Sequence, residues 1–549
     1  MVKLGGVLRL LSIAFCPLPF ALNFLKMGIN ELWKVLEPAA EPRSLKDYLL
    51  VQSLILGEQN GTPIKPLVMG IDASIWMNEC QAVFHHRRHA QMGQNPELRT
   101  LFYRLAGLLE CTVTPVFVFD GPYRPARKRG KAVVRRENWL AKRFREMIDA
   151  FGFYSHMAPG EAEAELASLN ALQYFQAIMT EDSDAFIFGA KTVIRRCGQV
   201  NKSDEVKIYS SEHCEALENI RLTSGGFLLI ALLRGGDYDN GLRGCGIKTA
   251  HNLGRYSGLG ESLHLAACKI TVQELPDFLL DWRDALRTEL SSNVHGYLEA
   301  RQPAVAISVT DSFPDINVLN HYVHPTVTLS QPAAQIDASE WVPRLPDLEC
   351  LFRLCERSFS WEGREEILKK FKSLVWNGVC VRQILQFNQP TDSSRSSLLS
   401  KQHFSHVRKS KSVNQRTPAY LVDVDIRGQL ERIIRPDPHS HLSTSGAEGL
   451  IDTFSNFTAT LPTALVNSTL ADVVADSLAH KKSIQSRVSH LSQDRKDVTK
   501  KEIMPRRPSS NRDVVSLGFI DLTQDEVLPF RRSGNKEVVS LGFIDLTED

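Results

Sequence analysis

The sequence predicts an α/β protein with a central, mostly parallel sheet flanked by helices. Short apolar runs, which are typical of buried strands, alternate along the chain with longer segments of helical periodicity. Three of these runs are followed directly by an aspartate, at the position where open α/β sheets bind ligands. The 549 residues leave room for more than one domain. We therefore predict an α/β core followed by a small C-terminal domain and a disordered tail.

The most informative stretch is 177–189, where two aspartates lie one residue apart. Asp182 and Asp184 follow the apolar run 176–180, and apolar residues then resume. Two carboxylates this close repel each other unless a positive charge lies between them, and a divalent cation is the usual partner. Taken alone, the stretch is equally compatible with a solvated turn after a strand.

Two earlier strands repeat this arrangement. The run 66–71 is followed by Asp72, and the run 114–119 is followed by Asp120, with an amphipathic helix predicted at 98–109 between them. One such aspartate could arise by chance, but three after three strands indicate a single acidic cluster.

A basic segment begins directly after Asp120. Residues 121–145 contain ten Lys or Arg residues against one acid, Glu137. Most charge runs are solvated faces, but this one has a single sign and lies beside the predicted acidic cluster. This combination favours a phosphodiester backbone as the ligand.

Three glutamates open the next predicted helix. Glu161, Glu163 and Glu165 fall in its first turns, where the helix dipole alone is sufficient to explain acidic residues. Helical geometry places Glu161 and Glu165 on one face and Glu163 nearly opposite. The spacing therefore does not decide which pair faces the cluster.

A glycine-rich turn follows the apolar helix predicted at 225–233. It contains Asp237, and Gly244 and Gly246 then precede another helix that carries Lys248. Exposed N–H groups at such a helix start bind phosphate, and a lysine adds charge. A purely structural turn between two helices is the alternative.

The total charge does not indicate a class of partner. The cysteine pattern argues against a secreted protein. The formal net charge is +2, and the ten cysteines show neither a Cys-x-x-Cys pair nor zinc spacing. We expect reduced thiols in an intracellular protein. Residues 1–26 are apolar enough for a signal peptide, but Met27-Gly-Ile-Asn has the character of a natural start. We expect 1–26 to be a dispensable extension.

Composition divides the rest of the chain. We predict a globular core over 27–390, a linker rich in Ser and Lys over 391–415, a small domain over 416–475 and a disordered tail over 481–549. The tail contains two repeats, at 513–526 and 537–549. Each has a β-prone Phe-Ile-Asp-Leu core followed by acids, which suits strand addition to a partner's sheet. A recent duplication without function is the alternative.

Several motifs occur in the order found in the XPG-type, or flap endonuclease, superfamily, and the sequence resembles that family. The motifs are Met27-Gly-Ile-Asn, Ile71-Asp72-Ala-Ser, Val118-Phe-Asp120-Gly, Glu161-Ala-Glu163-Ala, Glu181-Asp-Ser-Asp184 and Gly236-Asp237-Tyr. The resemblance implies a PIN-like nuclease core. It divides that core into an N region at 27–128, a basic arch at about 121–158, an internal region at 159–235 and a helix–two-turn–helix at about 236–256.

The resemblance also implies a two-metal endodeoxyribonuclease that hydrolyses phosphodiesters with two Mg²⁺, for which Mn²⁺ can substitute. It selects Glu161 and Glu163 from the three glutamates. The implied catalytic and metal-binding residues are Asp72, Asp120, Glu161, Glu163, Asp182, Asp184 and Asp237. The implied DNA-binding residues are Arg127, Lys128, Arg135 and Arg136 in the arch and Gly244, Gly246 and Lys248 in the helix–two-turn–helix, where K⁺ is also expected.

Within the superfamily, the short segment between Asp120 and Glu161 suits a continuous strand more than a free 5′ end. The sequence is most similar to the eukaryotic, fungal-type Holliday-junction resolvases. That resemblance implies a homodimer on four-way junctions that makes paired nicks in homologous recombination and DNA repair in the nucleus, with a chromodomain-like small domain and no membrane association. A 5′-flap endonuclease and a non-catalytic DNA-binding scaffold are the alternatives.

The two tail repeats resemble SUMO-interacting motifs. The expected SUMO-binding residues are Phe519, Ile520, Asp521 and Leu522 in the first repeat and Phe543, Ile544, Asp545 and Leu546 in the second.

Overall fold

A computed structural model describes residues 28–477 and 479, apart from residues 86–93, 129, 134–137, 197–203, 272, 331–334, 388–403, 410–417 and 435–443. The N-terminal extension, the linker up to residue 403, Arg135, Arg136 and the tail with both repeats lie outside the described residues. The predicted fold class is confirmed, because a central sheet of seven strands carries helices on both faces.

Five adjacent strands of the central sheet pair in parallel. The seven strands are β1 (Glu41–Ser44), β2 (Leu67–Asp72), β3 (Val113–Phe119), β6 (Tyr154–Met157), β7 (Ala177–Met179), β8 (Thr192–Arg196) and β9 (Glu205–Ser210). Their order across the sheet is β1-β9-β8-β7-β2-β3-β6, and the antiparallel pairs are β8 with β9 and β9 with β1. The order places β7, β2 and β3 side by side at the centre.

Strand β3 explains why the centre of the sheet is uniformly apolar. All seven of its residues are buried. Val116 and Val118 point into one hydrophobic core, and Phe117 and Phe119 point into the other. Alternate side chains of a strand lie on opposite faces, so a strand covered on both faces needs apolar residues at every position.

Nineteen α-helices surround the sheets in the described part of the chain. In the nuclease-like core they are α1 (Leu32–Leu36), α2 (Leu45–Gln59), α3 (Ala73–His85), α4 (Pro96–Leu109), α5 (Trp139–Ala150), α6 (Ala162–Ala171), α7 (Ser211–Ala216), α8 (Ser224–Arg234), α9 (Ile247–Gly254), α10 (Ser257–Lys269), α11 (Leu275–Ser292), α12 (Pro303–Ile307), α13 (Ile316–Val323), α14 (Leu348–Ser358), α15 (Gly363–Leu374) and α16 (Trp376–Phe387). Helices α17 (Arg427–Ile434), α18 (Thr444–Phe454) and α19 (Thr463–Thr469) belong to the C-terminal part. None of these helices is long and apolar enough to cross a membrane.

The interval predicted as a helix–two-turn–helix, about 236–256, contains helix α9 and most of the turn between helices α8 and α9. The turn between them contains Gly235, Gly241 and Gly244, each with a positive φ that favours glycine. The helices pack closely because a Cβ at Gly226 of α8 would lie 2.5 Å from the carbonyl oxygen of Gly254 in α9. The turn therefore projects from a rigid helix pair.

The C-terminal part contains a three-stranded antiparallel sheet, β10 (Phe404–Lys409), β11 (Ala419–Asp425) and β12 (Asn456–Pro462). Strand β10 lies within the interval predicted as linker, and that part of the prediction is wrong. Only Phe404 is buried in this strand, so its basic, exposed residues give the composition of a linker. The sheet contacts α16, where Asn377 Oδ1 accepts a hydrogen bond from Thr460 N at 3.0 Å.

Candidate active site

Three aspartates meet at one edge of the central sheet. Asp72 ends β2, Asp120 follows β3 and Asp182 comes shortly after β7. Because these strands are parallel neighbours, their carboxyl ends lie together and bring the three acids to the same place. The sequence spacing between them spans 110 residues, and the sheet alone closes that distance.

Backbone and hydroxyl groups hold the first two aspartates. Asp72 Oδ1 accepts hydrogen bonds from the backbone N–H groups of Ser74 at 2.9 Å and Ile75 at 3.1 Å, at the start of α3. Asp120 Oδ1 accepts from Ala162 N at 3.0 Å, and its Oδ2 accepts from the hydroxyl of Ser74 at 2.9 Å. Both carboxylates are therefore oriented by the helix that starts next to them.

Asp182 and Asp184 occupy a short 3₁₀ helix, Ser183–Phe186, for which Asp182 is the N-cap. Asp182 Oδ1 accepts from Asp184 N at 2.9 Å, and Asp184 Oδ1 accepts from Ile29 N at 3.0 Å. The chain near Gly28 thus closes over the aspartate pair. Gly28 has a φ of 69°, and a Cβ there would lie 2.6 Å from Asp184 Oδ1.

The glutamates divide in a way that helical spacing does not predict. Glu161 is the N-cap of α6 and has extended backbone angles, φ −88° and ψ 139°, so it does not follow the helical rotation. Glu161 and Glu163 both face the cluster, whereas Glu165 turns away and pairs with His156 Nε2 at 2.8 Å. The selection of Glu161 and Glu163 implied by the resemblance agrees with this geometry.

Asp237 reaches the cluster from the turn after α8. One carboxylate oxygen each from Glu163, Asp182 and Asp237 lies within 4.8 Å of the others, and all three residues are buried. Three segments far apart in sequence thus converge on one point. All seven predicted acids lie at this end of the sheet, where Asp72 interacts electrostatically with Asp120 and Asp184 does so with Asp182.

The side chain of Lys128 lies inside this cluster. Its Nζ is 2.6 Å from Glu163 Oε1 and 3.1 Å from Asp237 Oδ2, and it also contacts Glu161 Oε1. Lys128 belongs to a short hairpin, β4 (Arg127–Lys128) and β5 (Lys131–Ala132), within the predicted basic arch. Tyr238 adds to the site, because its hydroxyl donates a hydrogen bond to Glu161 Oε2.

Two protein-family models match the segments of the chain that carry the acidic cluster. The family model for the XPG N-terminal domain matches residues 27–139, and the model for the XPG I-region matches residues 152–237. All seven acids lie within these matches in sequence, and Asp237 is the last residue of the second match. These two segments are therefore similar to the N-terminal domain and the I-region of XPG-type nucleases.

Proteins similar to this chain include flap endonucleases from distant organisms. It is 29% identical over 246 residues to the flap endonuclease GEN homolog 1 of Mus musculus, covering 41% of this chain and 25% of that protein. It is 30% identical over 193 residues to flap endonuclease 1 of Sulfolobus acidocaldarius, covering 28% of this chain and 55% of that protein. The match thus spans about a quarter of the length of the mouse relative.

Solved structures extend the similarity across most of the chain. The Holliday junction-resolving enzyme GEN1 in complex with product DNA and Mg²⁺ superposes with a TM-score of 0.59 at 27% identity, covering 82% of this chain and 98% of that one. The eukaryotic junction-resolving enzyme GEN-1 with potassium gives a TM-score of 0.61 at 26% identity, covering 83% and 100%. The similarity therefore includes residues beyond the two XPG family models.

Burial and mutual repulsion shift the pKa values of several acids upward. Desolvation, together with the neighbouring Asp120, raises the pKa of Asp72 to about 7. Burial and nearby carboxylates also raise the pKa of Glu163, Asp182 and Asp184 well above the ordinary range. The cluster thus holds more negative charge than the protein alone stabilises.

The pKa of Lys128 is also raised, which for a lysine favours the charged form. Burial lowers the pKa of its ammonium, but the carboxylates of Glu163, Glu161 and Asp237 outweigh that effect and raise it above its ordinary range. A positive charge is therefore strongly favoured at this position. The donor set around it consists of carboxylate oxygens, the ligands that Mg²⁺ and Mn²⁺ prefer, so the residues present fit divalent cations.

The predicted DNA-binding residues lie at two places. Arg127 is exposed on the hairpin, where its Nη2 donates to Gly130 O at 2.8 Å, and Lys128 is drawn into the acidic cluster. Gly244 has a φ of 86°, Gly246 is the N-cap of α9 and Lys248 is exposed in its first turn. Arg135, Arg136 and all eight predicted SUMO-binding residues lie outside the described residues.

Four residues of the site carried no role in the sequence analysis. Ser74 links Asp72 to Asp120, Tyr238 contacts Glu161, and Arg124 Nη1 lies 3.5 Å from Asp120 Oδ2. Gly28 contributes by close approach to the aspartate pair. Each lies within or beside one of the family motifs, and that adjacency was the one signal available.

A cleft of about 400 Å³, open to solvent, adjoins the cluster. Glu161 and Tyr238 line it on the side of the acids, and Tyr123, Pro125 and His321 line it farther out. The exposed ring of Tyr123 stands on a fixed backbone, because its N–H donates to Pro159 O at 2.9 Å. Glu161 therefore borders a space that is open to solvent.

Proposed function

We propose that this chain is a metal-dependent, structure-specific DNA endonuclease that resolves four-way junctions. The observation that carries the proposal is the similarity to a Holliday junction-resolving enzyme with product DNA and Mg²⁺, over 98% of that chain, combined with the acidic cluster. The whole protein's activity is a proposal, because the matched region covers a quarter of the mouse relative.

The proposed metal-holding residues are the seven acids of the cluster: Asp72, Asp120, Glu161, Glu163, Asp182, Asp184 and Asp237. Two bound divalent ions would supply Lewis acidity and an activated water for phosphodiester hydrolysis. The protein's part is to hold these carboxylates in place before the substrate arrives. The N–H donors at the starts of α3 and α6 do this for Asp72 and Asp120, and Ile29 does it for Asp184.

Basic residues position the DNA in this proposal. Arg124 and Lys128 lie beside the acids, and Arg127 is exposed on the same hairpin as Lys128. These residues can bind the phosphates that flank the cleaved bond. Gly244, Gly246 and Lys248 bind the backbone of the adjoining duplex through N–H groups and charge, with K⁺ bound at the same turn. Two contacts on one duplex fix which phosphate reaches the acids.

The short arch favours a junction over a flap as the substrate. Between Asp120 and Glu161 the described residues form the hairpin β4–β5, helix α5 and strand β6, without a longer helical cap. A continuous strand can pass such an arch without threading a free 5′ end. A 5′-flap endonuclease remains the second candidate, since several relatives are flap endonucleases.

Cleavage assays with the full chain separate these candidates. We expect a labelled four-way junction to be cut symmetrically in Mg²⁺, and a cruciform plasmid to be converted to linear product before its nicked form accumulates. Exclusive cutting of a 5′ flap would replace the resolvase proposal with the flap endonuclease. Junction binding without any cutting in Mg²⁺ or Mn²⁺ would instead support the non-catalytic scaffold.

The proposed homodimer can be tested on the same junction. We expect two protein copies per four-way junction and one per linear duplex end, measured by mass photometry. A single copy per junction would contradict dimerisation and the paired nicks that depend on it.

The small C-terminal domain is proposed to be chromodomain-like and to assist DNA binding. Its contact with α16 supports a fixed position relative to the core.

The tail is proposed to bind SUMO through its two repeats, which supports action in the nucleus. Deleting residues 513–549 is expected to abolish binding to immobilised SUMO while leaving junction cleavage unchanged. Changing Phe519 or Phe543 to alanine, one at a time, should weaken binding partly if both copies contribute. Undiminished SUMO binding after the deletion would refute this assignment, and cytosolic accumulation of the tagged protein would refute nuclear action.

A further inference from the structure

The ammonium of Lys128 lies where carboxylates converge from two different segments. Its Nζ is 2.6 Å from Glu163 Oε1 and 3.1 Å from Asp237 Oδ2, and it contacts Glu161 Oε1. Glu163 and Asp237 are also two of the three acids whose oxygens lie within 4.8 Å of one another. Lys128 therefore takes a position that a cation bridging these acids would also take.

The surroundings of Lys128 complete this arrangement. The ring of Tyr238 lies 5.8 Å from Nζ, which adds a cation–π contact. Its hydroxyl donates to Glu161 Oε2, so both oxygens of Glu161 are bonded. The Lys128 side chain is 24% exposed, so it has a route from the cluster to solvent.

The hairpin that carries Lys128 is short. Strands β4 and β5 have two residues each and form their own sheet, separate from the seven-stranded one. An isolated two-stranded hairpin is only marginally stable in water. Arg127 and Lys131 are exposed on the same hairpin and can contact phosphates. The hairpin can therefore move at low cost when an anionic ligand binds it.

We propose that Lys128 is an internal counter-ion that keeps the acidic cluster metal-free until the hairpin binds DNA. The inference rests on the proposed function, in which the cluster holds divalent cations and the hairpin meets DNA. An ammonium and a divalent ion repel each other between the same carboxylates, and the carboxylates repel each other without a cation. Metal entry and Lys128 departure are therefore one exchange.

DNA completes the exchange by giving Lys128 another anion. A phosphate near the hairpin replaces the carboxylates as the partner of Nζ, and the vacated position accepts the metal. Coupling between two ligands is reciprocal, so DNA tightens metal binding by the same factor by which metal tightens DNA binding. The chain thus loads its metal preferentially where there is DNA to cut.

The direct test measures Mn²⁺ binding to the full chain without DNA, by isothermal titration calorimetry and electron paramagnetic resonance. Lys128→Met is expected to bind Mn²⁺ roughly tenfold tighter than the wild type, within the usual range of such couplings. Lys131→Met, on the same hairpin but outside the cluster, is the matched control and should bind like the wild type. Lys128→Gln is a second variant with the same expectation.

Two results would overturn the inference, and they are distinguishable. Measurable but equal Mn²⁺ affinity in the wild type and both Lys128 variants would show that Lys128 does not compete, while the proposed metal site stands. No Mn²⁺ binding by any of them at millimolar concentration would remove both the inference and the proposed metal site.

A linear duplex, which carries no branch, provides an independent measurement. It is expected to tighten Mn²⁺ binding to the wild type, and to do so by a smaller factor in Lys128→Met and Lys128→Gln. Equal tightening in the wild type and the variants would contradict the exchange. In addition, saturating Mn²⁺ should raise the Tm of the Lys128 variants more than that of the wild type, because their carboxylates lack a counter-ion without it.

Discussion

The backbone N–H of Ile29 donates a hydrogen bond to Oδ1 of Asp184 at 3.0 Å, across 155 residues of sequence. The same N–H lies 3.1 Å from the hydroxyl of Ser183, so one donor orients the 3₁₀ helix that carries the aspartate pair. The start of the nuclease core is therefore part of the active site.

Gly28→Ala is expected to disrupt the site from the backbone. A Cβ at Gly28 would overlap Asp182 Oδ1 and Ser183 Oγ, and the φ of 69° is itself unfavourable for alanine by about 1–2 kcal/mol. We expect cleavage to fall at least about a hundredfold, equivalent to about 3 kcal/mol, with weakened Mn²⁺ binding.

Gly61→Ala is the matched control for that change. Gly61 has a φ of 67° but no atom within 4 Å of the added Cβ, so it bears the same backbone strain without touching the acids. Loss of stability is expected in both variants, and loss of metal binding only in Gly28→Ala. Equal metal binding in the two variants would show that the close approach at Gly28 is unimportant.

Asp182→Asn is expected to abolish catalysis without abolishing DNA binding. Asp182 is buried between Glu163 and Asp237, and an amide is a much poorer ligand for Mg²⁺ than a carboxylate. Single-turnover cleavage of a four-way junction should fall about a thousandfold, as loss of several kcal/mol of metal assistance implies. Junction affinity, measured in Ca²⁺, should change little.

Asp239→Asn serves as the control, because Asp239 lies two residues from Asp237 and its Oδ1 accepts a hydrogen bond from Asn240 N at 2.7 Å, which asparagine can also accept. Its cleavage rate should match the wild type. If Asp182→Asn cleaved as fast as Asp239→Asn, the proposed metal assignment would be wrong.

Asp72→Asn is expected to stabilise the metal-free protein at neutral pH. The pKa of Asp72 is raised to about 7, so the folded protein keeps a proton that the unfolded chain releases near its ordinary value of 3.8. Raising the pH through this window therefore favours unfolding, by at most about 4 kcal/mol. Asparagine has no proton to release in this range, so the variant does not lose stability in this way. Its side-chain oxygen can still accept hydrogen bonds from the backbone N–H groups of Ser74 and Ile75.

Urea unfolding in chelator at pH 5, 6.5 and 8 checks this expectation. The free energy of unfolding of Asp72→Asn should exceed that of the wild type most at pH 8. This difference should shrink as the pH falls toward 4. Mg²⁺ at pH 8 should narrow the difference by stabilising the wild type. Asp281→Asn, at an exposed position on α11, is the control for an aspartate-to-asparagine change on the surface. A difference that does not vary with pH would contradict the raised pKa.

Glu165→Ala and Glu163→Ala on the same helix should separate structure from metal binding. Glu165 is buried and accepts from Thr328 N at 2.7 Å as well as pairing with His156. Its loss leaves partly buried donors unpaired and should lower the free energy of unfolding by about 1–3 kcal/mol, with Mn²⁺ binding retained. Glu163→Ala should lose Mn²⁺ binding and cleavage. Chemical denaturation measures the stability of both variants, and calorimetry measures their Mn²⁺ binding. Loss of Mn²⁺ binding in Glu165→Ala but not in Glu163→Ala would contradict the roles assigned to these residues.

Much of the fold could be predicted because parallel strands impose simple rules. Apolar runs buried on both faces, such as β3, are visible in the sequence, and acids that follow them must share one edge of the sheet. This rule is sufficient to group Asp72, Asp120 and Asp182. Strand β10 was missed because only Phe404 in it is buried, which leaves no periodic pattern to detect.

The sequence by itself determined the α/β class, the aspartates at the strand ends and the basic, glycine-rich segments that suit DNA, because these follow from residue type and local periodicity. Only the tertiary structure decided which glutamates face the site, since Glu161 leaves the helical geometry as an N-cap. It also placed Gly28 against Asp184 and Lys128 among the acids. These relationships join segments far apart in the chain, and no local pattern encodes the distance between them.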